Sequence, residues 1–388
     1  MPAMNLLARW TCCPLVLIGI ACSPTDTPLP ATTLSGTTGI ESGDGDGDLT
    51  TSTTGDGDPA TTTGDGDGDP TTSTGDGDGE PTTGDGDGDP GTAFTCPDGL
   101  EGQTPDLNGV SFQMVAAPPN DGYPENGAFQ ILEGPVWIDG TLYVSHIAGG
   151  GPPPKSRILA LVNGSLEEFL STAGSNGLAV DDEGAMLLAR HSDGTISRLE
   201  LDDPNTITPI VETYQGQRFN SPNDLVLSST GNLYFSDPNW QAPNPNPQPG
   251  ERAYYVLAGG EPTAFGNEVA KPNGMMLSLD ETKLYVGGVG GLYEFTLEGD
   301  GTPGSGTYVQ GVNGGVDGMA KDCAGNIYVT ANGQVVVLSP SNQVLGMIGL
   351  PEVTNVAFGG PEGTTLYATT LQNPAVHAAE LSIPGFPY

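Results

Sequence analysis

The stretch NDLVLSSTGNLYFSD (223–237) decides the fold. A polar residue, Asn223, leads a short apolar run, the turn signal SSTG follows, and a second run rich in large apolar residues ends at Asp237. Two apolar runs around such a turn spell a β-hairpin. The same phrase returns five times: EGPVWIDGTLYVSH (133–146), NGLAVDDEGAMLLARH (176–191), NGMMLSLDETKLYVGG (273–288), DGMAKDCAGNIYVTA (317–331) and NVAFGGPEGTTLYATT (355–370). The leading residues Glu133, Asn176, Asn223, Asn273, Asp317 and Asn355 are 43, 47, 50, 44 and 38 residues apart. A period of about 40–50 residues with one hairpin per repeat is the mark of a propeller with one four-stranded blade per repeat. Six repeats predict an all-β, six-bladed β-propeller; a β-sandwich would not explain one phrase returning at one interval.

In a propeller the first strand of each blade lines the central axis, so positions at one phase of the repeat fall on a ring. Every leading residue is an oxygen donor: one Glu, four Asn and one Asp. Amide oxygens and carboxylates converging on one axis suit a hard cation such as Ca²⁺, which takes six to eight oxygen ligands. Mg²⁺ asks for a tighter octahedron, and Zn²⁺ for His or Cys. Asn-Gly and Asp-Gly also begin strands simply by turning tightly, but that explains one or two members rather than six, and Glu133 is no turn residue.

The chain has three histidines, His146, His191 and His377. His146, His191 and Asp237 close the second strands of repeats one to three, which places them near the mouth of the ring. His191 is the candidate proton carrier or substrate contact; His146 and Asp237 are candidate substrate contacts, with plain solvation the alternative for each. The Pro-Asn stretch QAPNPNPQPG (241–250) follows Asp237 on the same side and is a candidate lid or recognition loop.

Outside the repeats the composition changes. Residues 23–95 read as GDGDGD blocks separated by Pro and Thr, with 16 acidic and no basic side chains. So few large apolar residues cannot offset the entropy of ordering, and the tract is expected to be a disordered, self-repelling spacer. Calcium-binding Asp-Gly repeats have an apolar position that stacks into a core, and that position is missing here. Residues 96–388 then form the propeller, with 32 acidic against 9 basic residues. A domain so acidic repels phosphate backbones and anionic headgroups, which argues against nucleic acid as a partner, and it attracts divalent cations; the partner expected from the site is a small-molecule substrate. A monomer is expected.

Residues 1–22 read as an export signal: Arg9 precedes an apolar run that ends in small residues and is too short to span a bilayer comfortably. Cys22 follows Ala21 as in the cleavage box of bacterial lipoproteins, although Gly19 stands where Leu is usual. The expectation is an exported protein anchored through a lipid on Cys22 to the outer membrane or cell surface, the alternative being ordinary cleavage and a periplasmic or secreted protein. With Cys12, Cys13 and Cys22 so assigned, Cys96 and Cys323 remain as one pair for an oxidising compartment, and a disulfide between them is expected to pin the start of the folded part.

The phrases EGPVW, RFNSPNDLVLSSTGNLYFSDP (218–238), KPNGMMLSLDETKLYV (271–286), VDGMAKDCAGNIYV (316–329), VTNVAFGG (353–360) and SIPGFPY resemble the gluconolactonase-like, regucalcin-related family from about residue 105 onward. The resemblance implies a six-bladed propeller with a catalytic divalent cation that hydrolyses lactones or, in some relatives, organophosphate esters. By motif the metal ligands fall on Glu133, Asn273 and Asp317, with Asn223 a further ligand or a substrate contact. Asn176 and Asn355 would touch substrate or a water at the metal. Asp317, or else His191, would act as general base. Repeat one ends in SHI (145–147) and repeat four in GG (287–288) where relatives more often have Asp, so the mouth departs from the family pattern. Two other functions compete: a displayed binding propeller with a structural cation, and a phosphotriesterase, since fold alone decides neither.

Overall fold

A computed structural model describes residues 95–123, 129–149 and 154–386. The leader, Cys22 and the acidic tract as far as residue 94 lie outside them. The chain divides into two units, Met1–Thr82 and Thr83–Tyr388, and the described residues belong to the second. Their regular structure is all strand, with no helix, arranged as a six-bladed β-propeller of four-stranded antiparallel sheets.

The innermost strands are Gln130–Ile138, Ser175–Val180, Leu225–Leu227, Met275–Leu277, Val316–Lys321 and Val353–Gly359. Each packs on the next, and the sixth packs back on the first, so the ring is closed. Closure depends on a strand pairing that the repeat does not reveal. The sixth blade takes only three strands from the C-terminal end of the chain, and its outermost strand is Gln113–Ala116, which pairs antiparallel with Val376–Glu380.

Because each blade face lies on a neighbour, the second strands are buried on both sides and read as continuous apolar runs rather than as alternation. Leu233–Asp237 and Ile327–Ala331 are buried at all five positions. Between blades two and three the filling is aromatic: Phe219, Phe235 and Tyr254 meet with centroids about 5 Å apart, against Leu187, Ala189 and Ile196. Burying rings of this size is the main stabilising term for such an interface, and offset or edge contacts add about 0.5–1.5 kcal/mol per pair.

Cys96 is bonded to Cys323, which sits in the hairpin turn of blade five. The same turn receives Gly102 N–H at Ala324 O (2.9 Å), while Asn326 Nδ2 donates to Gln103 O (2.8 Å) and Cys323 N–H to Pro384 O (2.9 Å). One hairpin therefore gathers the beginning and the end of the described domain.

Candidate active site

The six leading residues stand side by side around the closed ring of inner strands. In four blades the strand register shifts at this point: between Glu133 and Val136, Ser175 and Leu178, Val316 and Met319, and Val353 and Val356. A bulge re-aims a side chain that strict alternation would send elsewhere, so the repeat encodes a local kink as well as a strand. Glu133, Asn176, Asn223, Asn273 and Asn355 are all buried, and Asp317, half-buried, is the most open of the six.

The glycine after four of these residues serves close approach rather than turning. A Cβ at Gly274 would run into the carbonyl of Asp317, and one at Gly318 into the side chain of Asn355. Likewise Gly134 abuts the backbone of Asn176, and Gly177 donates to Asn223 O at 2.6 Å. Each of these four blades thus presses its glycine against the leading residue of the next blade.

Blade three breaks the rule. Asp224 occupies the glycine position, is buried, and is a candidate that the repeat alone does not single out. Its Oδ1 accepts from Leu225 N–H (2.9 Å) and its Oδ2 from Met275 N–H across the blade boundary (3.2 Å). Asp224 therefore closes the contact between blades three and four and adds a third carboxylate to the ring. Asp224→Ala would leave two buried N–H groups without acceptors at about 1–3 kcal/mol each, partly offset by relief of like-charge repulsion. The expected net loss is about 2 kcal/mol, or a Tm lower by about 4–8 °C at 2–4 °C per kcal/mol. Thermal unfolding by circular dichroism checks it, and an unchanged Tm would remove Asp224 from the blade contact.

The electrostatics of the ring are those of crowded acids. Glu133 is held well above the usual carboxylate range, first by burial and then by the charges of Asp317 and Asp224, with lowering contributions from Gly134 N–H and the Asn355 amide. Asp317 is raised by burial and by Asp224, against a hydrogen bond from Asn273. Burial pushes Asp224 up to about 7. The charges that act on Glu133 and Asp317 are those of the other ring carboxylates, and none is basic.

Among the described residues Asn273 Oδ1 is buried with no hydrogen-bond partner. An orphaned amide oxygen beside mutually repelling, buried carboxylates fits a hard cation, which would satisfy the one and neutralise the others. Among the described residues no three His, Cys, Asp or Glu side chains approach closely enough to hold a metal by themselves. With Asp224 engaged by two backbone N–H groups, a cation here would have two carboxylates and Asn amides for donors, a composition for oxygen-seeking ions rather than for zinc. Behind the ring lies a cavity of about 330 Å³, lined by Leu178, Val180, Leu227, Met276, Met319 and Phe386 and reaching Asp224 and Asn355. Asp181, Asp182, Ser228, Ser229, Glu281 and Lys321 also line it.

The remaining candidates stand one residue outside the ring. His146 pairs with Leu132, next to Glu133, and Arg190, preceding His191, pairs with Ser175. Both nitrogens of His146 are engaged: Nε2 with Gln130 Oε1 (2.9 Å) and Nδ1 with Arg157 Nε–H (3.2 Å). Arg157 is buried, bridges Asp121 and Glu168, and lies over the Tyr123 ring. His146 thus belongs to a network that ties the segment before blade one to that blade. His191 turns Nε2 to Pro154 O (3.1 Å), and Nδ1 is buried without a partner. Burial lowers the pKa of each histidine to about 4.

Asp237 accepts from Ser221 N–H (2.7 Å) and Asn220 N–H (2.9 Å), so it braces the loop that presents Asn223 and Asp224. The 241–250 loop is stitched down by Gln248, whose Nε2 donates to Tyr214 O, Gln217 O and Arg218 O.

Residues 131–372, well over half of the chain, match the family described as SMP-30/Gluconolactonase/LRE-like region. A gluconolactonase of Zymomonas mobilis is 32% identical over 282 residues, covering 63% of this chain and 77% of that protein. A pentonolactonase of Haloferax volcanii is 27% identical over 261 residues, covering 61% and 80%. Among solved structures, a gluconolactonase from Xanthomonas campestris superposes with a TM-score of 0.60 at 23% identity, over 75% of this chain and 98% of that one.

Proposed function

The chain belongs to the SMP-30/gluconolactonase/LRE-like family, and from that premise we propose that it is a cation-dependent lactonase acting on sugar-type lactones at the ring of blade-leading residues. The observation that carries this reading is the orphaned Asn273 Oδ1 amid the buried carboxylates Glu133, Asp317 and Asp224. Glu133, Asn223, Asn273 and Asp317 would hold the cation, and Ca²⁺ suits their oxygens. Such an ion supplies Lewis acidity toward a carbonyl oxygen when bound.

The chain's own residues then divide the work. Asp317, the most open of the ring, takes a proton from the water that attacks the lactone carbonyl. The new C–O bond forms as the ring ester bond breaks, and the proton passes to the departing ring oxygen. The Asn273 and Asn355 amides lie beside Asp317 and Glu133 and favour their charged forms. Asn176 completes the wall that meets the substrate hydroxyls. His191 is a poor proton acceptor near neutrality, since burial lowers its pKa to about 4, so the base role rests on Asp317.

A panel of aldonolactones, acyl-lactones and aryl phosphotriesters, assayed with and without chelator, tests the proposal. Lactone turnover that chelator abolishes and Ca²⁺ restores is the expected result. Turnover of phosphotriesters alone would move the chemistry to phosphorus. No turnover, with a chelator-induced fall in Tm, would make the cation structural and the propeller a binding module.

A further inference from the structure

The cavity behind the ring has a second end. Each inner strand runs from its leading residue to a hairpin turn, so the turns gather at the opposite end of the axis from the donor ring. Asp181, Asp182, Ser229, Glu281 and Lys321 come from that end, and they line the same cavity that reaches Asp224 and Asn355. Lys321 closes the inner strand Val316–Lys321, four residues beyond Asp317 and so about 13 Å from it at the rise of a strand. Met319 and Lys321 alternate onto one face of that strand and line the cavity together.

The amine of Lys321 is held loosely for a half-buried group. Its hydrogen bond to Ser278 O is 3.4 Å long, and the centre of the Phe386 side chain lies 4.5 Å away. The acids whose charge reaches it are bound elsewhere. Glu281 accepts from the N–H and hydroxyl of Ser229 (2.9 and 2.8 Å), and Asp280 from the hydroxyls of Ser278 and Thr282 (2.7 and 2.9 Å). The chain has three other lysines. Lys271 and Lys283 stand in ion pairs with Glu251 and Glu294, and Lys155 is exposed. Burial lowers the pKa of Lys321 to about 8. At pH 7 about a tenth of it is then the neutral, nucleophilic amine, against well under about a thousandth of an ordinary lysine.

We propose that the turn-side end of this cavity is a second ligand site, in which Lys321 captures a small apolar aldehyde as an imine. It lies apart from the donor ring and does not depend on the lactonase reading. Walls of Leu178, Leu227, Met276 and Met319 suit an apolar body, and a volume of about 330 Å³ is at the small end of ligand pockets. The acids at the rim, Asp181, Asp182 and Glu281, repel an anion, so the occupant is neutral. The amine nitrogen attacks the carbonyl carbon and the C–N bond forms. The carbonyl oxygen then leaves as water with both hydrogens of the neutral amine, and no oxidant or reductant takes part.

Reductive trapping tests it on the full chain. Hexanal and cyanoborohydride are added at pH 7, and alkylation of each lysine is followed by peptide mass spectrometry. Parallel samples contain excess 1-hexanol, which suits the apolar walls but cannot form an imine. We expect Lys321 to be alkylated about tenfold faster than Lys155, the excess of neutral amine discounted for its lower basicity, and hexanol to slow Lys321 alone. Glyceraldehyde, a small but hydroxylated aldehyde, should show no such preference. Labelling of Lys321 no faster than that of Lys155 would overturn the site. So would a preference that hexanol leaves untouched or that glyceraldehyde shares, because Lys321 would then be a reactive amine without an apolar pocket.

Discussion

Asp317→Asn is expected to lower kcat/KM for lactone hydrolysis by about 10³-fold or more while the propeller stays folded. A positioned general base contributes about 10²–10⁴-fold, and the same substitution removes one of the two carboxylates proposed to hold the cation, so the effect belongs at the upper end. The amide is close to isosteric, and the group is half-buried beside Asn273, so no cavity opens. In chelated protein the Tm should not fall: Asp317 is charged against Glu133 and Asp224 across a poorly solvated ring, and losing that charge relieves repulsion. In the presence of Ca²⁺ the variant should gain less thermal stability from the ion than wild type does. The assay is lactone turnover paired with thermal unfolding in chelator and in Ca²⁺. Activity within tenfold of wild type would withdraw Asp317 from the proton-transfer role.

That expectation leans on a residue that one sequence was enough to find, and the reason is geometric. Asp317 leads a repeat, and a propeller maps the phase of a repeat onto a ring, so six separate places in the chain become one place in space. The same mapping explains why Asp224 stays hidden. It sits one residue out of phase, where repeats one, two, four and five carry glycine, and it looks like the polar start of a strand. The signal available was the exception itself: an Asp where its counterparts are Gly. Only the approach of each glycine to the next blade's donor turns that exception into a third carboxylate with a bond across the blade boundary.

Other features depend on pairings that no local pattern announces. The strand Gln113–Ala116 has one buried residue in four, and nothing in QMVA marks it as the fourth strand of a blade whose neighbouring strand, Val376–Glu380, comes from the far end of the chain. His146 and Asp237 are legible as the ends of hairpins. Their partners come from elsewhere in the chain: Arg157 from the third strand of blade one, and the amides of Asn220 and Ser221 from the loop before blade three. Position along a hairpin predicts the neighbourhood of the ring, and the tertiary contacts decide whether a side chain faces a substrate or holds a loop.

Metal-free protein should become less stable as the pH rises from about 4 to about 7, and Ca²⁺ should flatten that slope. The unfolded carboxyls titrate near 4. In the folded chain Glu133 and Asp317 are raised, and Asp224 is raised to about 7, in each case with burial as the leading cause. Between those limits the folded state binds more protons than the unfolded state, so stability falls as pH rises. The whole of that loss is absent below about pH 4. Each group can contribute at most about 1.4 kcal/mol per pH unit while it titrates. Asp237, raised to about 7 by burial but outside the ring, adds to this slope with or without the ion. His146 and His191, lowered by burial to about 4, titrate near 6.5 when unfolded and give the opposite slope between those limits in both curves. The four raised carboxyls outweigh the two histidines, so a fall of a few degrees in Tm is expected at about 2–4 °C per kcal/mol, and the ring's own share is read from the difference between the curves. A bound cation keeps its carboxylate ligands deprotonated and offsets their repulsion, so the two curves should diverge most near neutrality. The measurement is Tm against pH for dialysed, metal-free protein and for protein in excess Ca²⁺. Parallel curves would mean that the ring carboxylates do not hold the ion, whereas divergence that Asp317→Asn diminishes would tie the ion to that ring.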